Sequence, residues 1–479
     1  MKYFFIGIGG IGMSAIARYL HRLGNTVAGY DLTPSPLTAE LEGEGIAVFY
    51  EDAPNIMPQN NDIFVYTPAV PKDTAVYQWA SASGKPMKKR AEMLGELTNG
   101  RKCIAVAGTH GKTSTSTMIA HLLSKSSLGC SAFLGGISKN FDSNMVIDTK
   151  SEYVVVEADE YDRSFLQLHP WFSVITSIDP DHLDIYGDYD HLRDAFHQFA
   201  DQTQHDGKLF LKQGVSLSED TDDPDHSGHS HHTHDHVSTH SAVPTISYTT
   251  SGIEADYYAW NVRTSRGNIY YDLRTPKGVI FDIELRHTAL YNVENSVVAA
   301  AVALECGLNE FELREGLKTY EGVRRRFDFR IVNKDIVYID DYAHHPKEIA
   351  ATLDSIRFLY PGKRIVGIFQ PHLYSRTADF ADQFAEVLST LDEAVLLPIY
   401  PAREKPMPGV SSGMILRKME TMSKYLVTKD QLADIIPALY PDVLVTLGAG
   451  DIDRMVPQIE KLLTDNEDKH DTRKFHPQP

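Results

Sequence analysis

The sequence predicts a doubly wound α/β fold in which parallel sheets are covered by helices. Apolar runs rich in β-branched residues alternate with segments of helical period along most of the 479 residues. This alternation is typical of parallel strands joined by helical crossovers. At about 150 residues per domain, the chain is long enough for about three domains. A composition that is 42% hydrophobic and 23% charged excludes wholesale disorder.

The first domain is predicted over residues 1–98. Its strands are expected at Lys2–Ile6, Thr26–Tyr30 and Ile63–Tyr66, with a helix at Ile11–Leu23. The charge at Lys2 and the apolar run that follows imitate a signal peptide, but glycines interrupt that run. We therefore expect an unprocessed chain. No run of about 18 apolar residues occurs, so no membrane partner is expected.

The central domain is predicted over residues 99–325. Strands are expected at Lys102–Val106, Tyr153–Val156 and Ser173–Ser177, and a helix at Thr113–Leu123. A histidine- and aspartate-rich insertion at 219–240 interrupts the pattern. Its imidazoles could bind a divalent metal loosely, but it has no cysteine and no fixed spacing. A solvated loop is therefore the favoured interpretation.

The third domain is predicted over residues 326–464. Its strands are expected at Ile336–Ile339, Arg364–Ile368, Ala394–Leu397 and Val443–Leu447, and Lys347–Phe358 has a helical pattern. The tail from 465 to 479 is polar and contains two prolines, so we expect it to be loosely held.

Charge and cysteine content narrow the function and the compartment. Lysine and arginine number 46 against 65 acidic residues, for a net charge of -19. This balance would repel a polyanion and argues against a nucleic-acid partner. The three cysteines, Cys103, Cys130 and Cys306, are widely spaced and form no C-x-x-C pair. Buried thiols in a reducing compartment are the expectation, which indicates the cytoplasm.

A glycine-rich motif follows the first predicted strand. Gly7-Ile8-Gly9-Gly10-Ile11-Gly12 precedes a predicted helix, and Asp31 ends the next strand. Without Cβ atoms, such a backbone can approach a diphosphate, and the acidic residue can accept a hydrogen bond from a ribose hydroxyl. The motif alone favours a dinucleotide. Another nucleotide diphosphate and a purely structural turn stay open as alternatives.

A second motif opens the central domain between a strand and a helix. Gly108-Thr109-His110-Gly111-Lys112-Thr113-Ser114 has the ending of a phosphate-binding loop. Backbone N–H groups would hold phosphates, Lys112 would reach the β- and γ-oxygens, and Thr113 would offer a hydroxyl to Mg²⁺. ATP is the natural ligand of such a loop. Val106 stands where the usual loop has its first glycine, so the loop is a short variant.

Other polar groups follow predicted strands, where parallel sheets bind ligands. Glu157, Asp159 and Glu160 end one strand and His182 follows another. A carboxylate suits Mg²⁺, whereas a single imidazole is more often structural. Arg324–Arg326 are either a solvated charge run or hold an arginine that stabilises a transferring phosphoryl group. Further clusters occupy Asp340–Pro346, Gln370–Arg376 and Gly448–Ile452. None of the clusters has a zinc-specific spacing.

The ordered set of motifs resembles the Mur ligase family, and within it the alanine-adding branch. The resemblance covers nearly the whole chain except the insertion and the tail. It implies a Rossmann-like N-terminal domain that holds a UDP-sugar, a P-loop-type central ATPase domain and a Rossmann-like C-terminal domain. The implied reaction joins L-alanine to the carboxylate of UDP-N-acetylmuramate through an acyl phosphate and releases ADP and phosphate. The nicotinamide interpretation of the first motif is thereby displaced.

The resemblance also implies roles for individual residues. The UDP-sugar would be held by Gly9, Gly10, Ile11, Gly12, Met13, Ser14, Asp31 and Thr67. ATP would be bound by Gly108, Thr109, His110, Gly111, Lys112, Thr113, Ser114, Asn295, Arg326 and Asp341. Mg²⁺, expected as two ions, would be held by Thr113, Glu157 and His182. The amino acid would be lined by Tyr342, His344 and Arg376. Catalysis would rest on Lys112, Glu157, His182, Arg326, His344 and Arg376.

Two positions depart from the family pattern, and three rival functions remain, one of them a nucleotide-binding regulator whose active site is inactive. Leu373 stands where many relatives have arginine, and Tyr291 where histidine is common. The nearest rival is a recycling ligase that attaches a murein tripeptide to UDP-N-acetylmuramate. An NAD-dependent oxidoreductase explains the first glycine motif but gives no role to Lys112 and Glu157.

Overall fold

A computed structural model describes residues 1–180, 183–217, 243–252, 255–402 and 404–473, with backbone alone at 183–184 and 465–473. His182 and the insertion at 219–240 therefore lie outside the described residues. The backbone forms two compact units. Unit 1 comprises Met1–Asn261, Tyr271–Ile283 and Glu294–Tyr320. Unit 2 comprises Val262–Tyr270, Glu284–Val293 and the chain from Glu321 onward.

The first sheet is parallel throughout its recorded pairings. Its strands are β1 (Lys2–Ile6), β2 (Thr26–Tyr30), β3 (Ala47–Phe49), β4 (Ile63–Tyr66) and β5 (Met87–Lys89), in the order β3-β2-β1-β4-β5. The helices are α1 (Ile11–Arg22), α2 (Pro36–Gly43), α3 (Ala75–Ala82) and α4 (Arg90–Thr98). Because β1 lies between β2 and β4, the loop that follows it opens where the strand order reverses, which is where such sheets bind ligands.

The second sheet is longer and mixed. Its strands are β6 (Lys102–Ala107), β7 (Ser131–Ser138), β8 (Ser143–Val146), β9 (Tyr153–Glu157), β10 (Phe172–Ile175), β11 (Lys208–Lys212), β12 (Thr245–Thr249), β13 (Tyr257–Ser265), β14 (Asn268–Thr275) and β15 (Gly278–Leu285). Their order is β15-β14-β13-β12-β11-β10-β6-β9-β7-β8, with β7 and β8 antiparallel. The helices are α5 (Lys112–Lys125), α6 (Leu183–Tyr186), α7 (Tyr189–Asp201), α8 (Asn292–Cys306) and α9 (Glu310–Lys318). The second glycine loop follows β6, between the ends of β9 and β10.

The third sheet belongs to unit 2. Its strands are β16 (Asp328–Val332), β17 (Val337–Asp341), β18 (Ile365–Phe369), β19 (Glu393–Leu396), β20 (Lys424–Leu426) and β21 (Val443–Leu447), in the order β16-β17-β21-β18-β19-β20. The helices are α10 (Pro346–Leu359), α11 (Tyr374–Asp379), α12 (Ala381–Leu388), α13 (Ser412–Lys418), α14 (Lys429–Leu439) and α15 (Val456–Arg473). The predicted polar tail at 465–479 is therefore helical as far as Arg473.

Within unit 1 the first two sheets share one hydrophobic core. Helix α1 packs its apolar side against β7 and β8, where the Tyr19 and Phe133 rings meet edge to face at 5.1 Å between centroids. Arg18, only 3% exposed, donates to Asn144 Oδ1 at 3.3 Å and forms an ion pair with Glu40 at 2.8 Å. A buried guanidinium needs such partners. The start of the chain is thus tied firmly to the second sheet.

The sequence-based fold class is confirmed. Strands β1, β2, β4 and β21 have the predicted bounds, and the helices predicted at 11–23, 113–123 and 347–358 match α1, α5 and α10 within two residues at each end. Sequence reasoning named no strand at β3, β5, β7, β8, β11, β12 to β16 or β20. No helix among the described residues is long and apolar enough to cross a membrane. The domain boundaries at 98 and 325 stay predictions.

A close backbone approach in unit 1 yields a stability prediction. A Cβ added at Gly95 of α4 would overlap the carbonyl oxygen of Gln167. Gly95→Ala should therefore lower the free energy of unfolding by about 1–3 kcal/mol, because backbone must shift to admit the methyl group. Gly43, the last residue of α2, has no atom within 4 Å of such a Cβ. Gly43→Ala should change stability by less than about 0.5 kcal/mol. Urea unfolding checks both, and equal losses would contradict the prediction.

Candidate functional site

The first glycine loop is held in place by Asp31. Gly7 has φ +88°, and a Cβ there would lie 2.6 Å from Thr67 Cγ2. The Gly9 N–H donates to Asp31 Oδ2 at 2.8 Å, and Thr33 N–H donates to Asp31 Oδ1 at 3.2 Å. The structure therefore uses the carboxylate predicted to meet a ribose as a brace for the loop. The predicted ribose contact stays a prediction.

The start of α1 offers backbone N–H groups to an anion. Gly10 is the N-cap, no side chain caps it, and the first turn contains no acidic residue. The first amides of a helix have no intrahelical acceptor and favour negative charge. Met13 and Ser14 are 1% and 0% exposed, and Ser14 Oγ accepts from Asn144 Nδ2 at 3.1 Å. These two predicted binding residues point into the protein, so only their backbone faces the loop.

The second glycine loop is braced by the segment that follows β10. Gly108 has φ +134°, and a Cβ there would overlap Thr176 Oγ1. Thr176 Oγ1 donates to the His110 carbonyl at 2.5 Å. Ser177 accepts from the loop twice, through its carbonyl from Thr109 N–H at 3.1 Å and through its hydroxyl from His110 N–H at 3.0 Å. The loop is therefore fixed before any phosphate binds.

Lys112 lies across the loop and is paired with a buried carboxylate. Its Nζ donates to the Gly108 carbonyl at 2.6 Å and lies 2.8 Å from Glu160 Oε2. The Glu160 side chain is 2% exposed. A carboxylate at this depth needs a cation or several hydrogen bonds. The pair fixes the ammonium over the loop, where a phosphate would replace the carboxylate.

Two of the predicted magnesium ligands have suitable chemistry. Thr113, in the first turn of α5, is 7% exposed, and Glu157 ends β9. The Glu157 carboxylate packs against Gly135, where a Cβ would overlap both of its oxygens. Hydroxyl and carboxylate oxygens are the hard donors that Mg²⁺ takes, so these residues fit the ion. Within the described part of the chain, no group of three or more His, Cys, Asp or Glu is arranged to hold a metal.

Asn295 lies directly against the second loop. Thr115 Oγ1 donates to Asn295 Oδ1 at 3.2 Å, and a Cβ at Gly111 would lie 2.8 Å from the same oxygen. Helix α8 thus brings its amide to the loop, 180 residues further along the chain. The predicted adenine contact of Asn295 stays a prediction.

In unit 2, two arginines flank one aromatic ring. The guanidinium carbons of Arg325 and Arg326 lie 5.0 Å and 4.9 Å from the centroid of the Tyr342 ring. Arg325 also donates to the Gly448 carbonyl at 2.6 Å, so it joins the ends of β17 and β21. Arg326 has no ion pair among the described residues. Its predicted contact with the γ-phosphate of ATP stays a prediction.

Two imidazoles lie in sequence from this ring: His344 packs edge to face on Tyr342 at 5.2 Å between centroids, and His372 packs on His344. His344 Nδ1 is 3.0 Å from the Tyr342 carbonyl, and the His344 and His372 rings are 5.9 Å apart. Burial lowers the pKa of His344. The Glu348 carboxylate, 3.3 Å from Nδ1, opposes this shift, and Arg376 adds to it. Burial also lowers the pKa of His372 to about 4. A carbonyl acceptor at Nδ1 directs the His344 proton there and leaves Nε2 basic.

Asp340 and Asp341 at the end of β17 are both buried. Asp341 accepts from Thr352 Oγ1 at 2.6 Å and from the Ala343 N–H at 3.2 Å, while Asp340 accepts from Thr446 Oγ1 at 2.6 Å. Burial raises the pKa of each carboxyl to about 6. The structure thus places Asp341 inside unit 2, and its predicted contact with the ATP ribose stays a prediction.

Several residues with evident roles were missed by sequence reasoning. Glu160 was noted within a motif but received no role of its own, because it lies 48 residues from Lys112 in the chain and nothing in the sequence connects the two. Thr176 and Ser177 end the strand predicted at 173–177, and Asp179 lies just beyond it, where its N–H donates to Thr109 Oγ1 at 2.8 Å. Nothing in the sequence connects these residues with the loop. Arg90 opens α4 and reaches Asp159 at 3.2 Å. No motif surrounds it.

Family models match most of the chain in three consecutive parts. "Mur ligase family, catalytic domain" matches residues 2–102, "Mur ligase middle domain" residues 106–303, and "Mur ligase, glutamate ligase domain" residues 325–450. The chain belongs to the Mur ligase family. The resemblance drawn from the motifs is therefore confirmed, and the three matched ranges agree with a three-part α/β chain.

Individual relatives within this family are similar over nearly their full length. A UDP-N-acetylmuramate--L-alanine ligase of Porphyromonas gingivalis is 47% identical over 468 residues, covering 96% of this chain and 99% of the relative. One of Parabacteroides distasonis is 44% identical, covering 96% of each. The solved UDP-N-acetylmuramate-alanine ligase of Thermotoga maritima is 26% identical with a TM-score of 0.80, covering 97% of this chain and 99% of that one. A murein peptide ligase of Psychrobacter arcticus, 21% identical with a TM-score of 0.65, shares the fold.

The buried carboxyl of Asp340 predicts a pH effect on stability. Burial raises its pKa from the ordinary 3.8 of an aspartate to about 6 in the folded protein. The folded state therefore holds the proton more tightly, and stability from this group is present at low pH and lost as the pH rises toward 6. Asp340→Asn removes this loss. Relative to the unsubstituted protein, it should gain about 2 kcal/mol between pH 4.5 and 7. Denaturant unfolding at both pH values checks this, and a pH-independent difference would contradict it.

Proposed function

We propose that this protein is an ATP-dependent ligase that joins L-alanine to the carboxylate of UDP-N-acetylmuramate, with release of ADP and phosphate. The observation that carries the proposal is the 47% identity to the Porphyromonas gingivalis ligase over 96% of this chain. Two braced glycine loops in unit 1 support it, since the reaction needs one site for a sugar diphosphate and another for a triphosphate. An oxidoreductase would have no use for the second loop.

The chemistry requires that the carboxylate be activated, because its oxygen is a very poor leaving group. In the proposed first step, a carboxylate oxygen attacks the γ-phosphorus of ATP, the bond to the bridging oxygen breaks, and ADP leaves. In the second step, the L-alanine amine attacks the carbonyl carbon of the acyl phosphate. The carbon–oxygen bond breaks, phosphate leaves with one former carboxylate oxygen, and the amine loses a proton.

Lys112 and Arg326 are proposed to offset charge on the transferring phosphoryl group. Cations fixed in advance stabilise a transition state more than mobile ones, since no reorganisation is needed. Lys112 is fixed by Gly108 and Glu160, and Arg326 by the Tyr342 ring. Thr113 and Glu157, with His182, are proposed to hold Mg²⁺, which would withdraw further charge from phosphate oxygens when bound.

The amino-acid side is proposed to be formed by Tyr342, His344 and Arg376. His344 Nε2 is the basic nitrogen of a neutral imidazole and suits a group that accepts the amine proton or positions the amine. Arg376 lies in α11 and is proposed to orient the carboxylate of L-alanine. Leu373 precedes that helix with φ +69° and carries no charge, so Arg376 acts without a second arginine at that position.

The three cysteine thiols support a reducing compartment. Cys103, Cys130 and Cys306 are buried and unpaired. Burial raises the pKa of the Cys103 and Cys130 thiols to about 12, which leaves them unreactive. We propose that the reaction takes place in the cytoplasm.

Substrate omission tests the proposed reaction. Phosphate release should need UDP-N-acetylmuramate, ATP and L-alanine together, and replacing L-alanine with a murein tripeptide should reduce it to background. With ¹⁸O in the muramyl carboxylate, label should appear in the released phosphate. Activity with the tripeptide alone would instead indicate the recycling ligase. NADH oxidation would revive the oxidoreductase, and ATP binding without any product would indicate a regulator.

Substitution of the loop lysine tests the second site. Lys112→Ala should lower kcat by at least about a hundredfold, because a charge partner of the phosphoryl group is lost. The same change removes the ammonium partner of Glu160, so the thermal midpoint should be measured alongside. The double variant Lys112→Ala/Glu160→Gln separates the loss of stability from the loss of catalysis. It removes the unpaired buried carboxylate, so its thermal midpoint should recover, but its kcat should stay as low as that of Lys112→Ala. Near-normal turnover in either variant would refute the assignment.

A further inference from the structure

One side chain in unit 1 contacts both the first turn of α1, which follows the first glycine loop, and the turn that follows β9. Arg90, at the start of α4, lies against the first turn of α1, where a Cβ at Gly12 would be 3.0 Å from its Nη1 and 3.1 Å from its Cδ. Its Nη2 donates to Asp159 Oδ2 at 3.2 Å. The side chain is 19% exposed. Arg90 therefore joins the first glycine loop to the turn that follows β9.

The position is electrostatically unusual for a cation. A helix N-terminus carries partial positive charge and disfavours a guanidinium beside it. The first turn of α1 has no acidic residue to offset this, and the neighbouring charge that does so is Asp159. A diphosphate on the first loop would meet the amides of α1 and Arg90 together. It would also compete with Asp159 for the guanidinium, since charge-assisted hydrogen bonds to phosphate are strong.

Asp159 is directly followed by the residue that holds Lys112. Within this turn, Phe165 N–H donates to the Asp159 carbonyl at 2.9 Å, and the Glu160 carbonyl accepts from Arg163 N–H at 3.0 Å and from Tyr186 Oη at 2.5 Å. Arg163 and the preceding Asp162 have φ near +54°, a region that non-glycine residues keep only where contacts impose it. A turn so constrained moves as one piece. A displacement of Asp159 is therefore transmitted to Glu160.

We propose that Arg90 is a positioning residue that couples occupancy of the first loop to the freedom of Lys112 in the second. The inference rests on the proposed function. Diphosphate draws Arg90 away from Asp159, the Asp159–Glu160 turn relaxes, and Lys112 exchanges Glu160 for the phosphates of ATP. Each ligand then raises the affinity for the other by the same factor, because such coupling is reciprocal.

Binding measurements on the full chain test the coupling. The Kd of UDP-N-acetylmuramate is measured by calorimetry without and with a saturating non-hydrolysable ATP analogue. In the unsubstituted protein the analogue should lower that Kd at least about fivefold. We call the Kd without the analogue divided by the Kd with it the coupling ratio. In Arg90→Ala and in Asp159→Ala this ratio should fall to within about twofold of one. The double variant should match the single ones, since the two side chains act as a pair.

Two controls separate coupling from general damage. Lys88 lies two residues before Arg90 and forms an ion pair with Glu96 of α4 at 2.5 Å. Lys88→Ala therefore removes a nearby charge but leaves the contact between Arg90 and Asp159 in place. This variant should keep the full ratio. Arg90→Lys keeps the charge and should retain part of the coupling. Thermal midpoints identify any variant that fails to fold. In turnover, Arg90→Ala should raise the KM for ATP at saturating UDP-N-acetylmuramate more than it lowers kcat.

The outcomes distinguish this inference from the function on which it rests. Absence of UDP-N-acetylmuramate binding to the unsubstituted protein, or phosphate release that does not need it, would overturn the proposed function. Normal binding and turnover with no effect of the analogue would overturn the coupling alone. An unchanged ratio in folded Arg90→Ala would do the same.

Discussion

A loop that binds phosphates must present bare backbone, and most of the arrangement in unit 1 follows from this constraint. Glycine removes the side chains that would block a phosphate, but it also leaves the loop without side chains to hold it. Rigidity must come from outside. Asp31 supplies it for the first loop by accepting from Gly9, and Thr176 and Ser177 supply it for the second through His110 and Thr109.

The same constraint governs the charges. A chain of net charge -19 must bind anions, so cations near the loops have to be held against a repulsive background. Each is paired with a carboxylate: Lys112 with Glu160 and Arg90 with Asp159. These pairs fix the positions of the cations, and in the proposed function a bound phosphate would replace the carboxylate. Preorganisation of this kind is what makes electrostatic stabilisation effective in a poorly solvated site.

Unit 2 brings imidazoles and guanidinium groups together, and in the proposed mechanism one of these imidazoles lies beside an amine that must react without its proton. Burial keeps His344 and His372 neutral, and the adjacent arginines reinforce this by repelling an imidazolium. The guanidinium groups of Arg325 and Arg326 both pack on the Tyr342 ring. Arg325 also donates to the Gly448 carbonyl and so connects the ring with the end of β21. Imidazoles with lowered pKa values and positioned guanidinium groups therefore lie within one small region.

Local patterns in the sequence determined the alternation of strands and helices, the two glycine loops and the lysine, because each depends on residues within a few positions of one another. β1 with Gly7–Gly12 and β6 with Gly108–Lys112 could be located in this way. Only the tertiary structure decided which distant side chains meet those loops. Asn295 reaches Gly111, Glu160 reaches Lys112, and Arg90 reaches both Gly12 and Asp159. The tertiary structure also decided that the Met13 and Ser14 side chains point into the protein and that Asp31 supports the first loop. Such contacts depend on how strands are ordered in a sheet and how helices pack across it, and neither is encoded in any short stretch of chain.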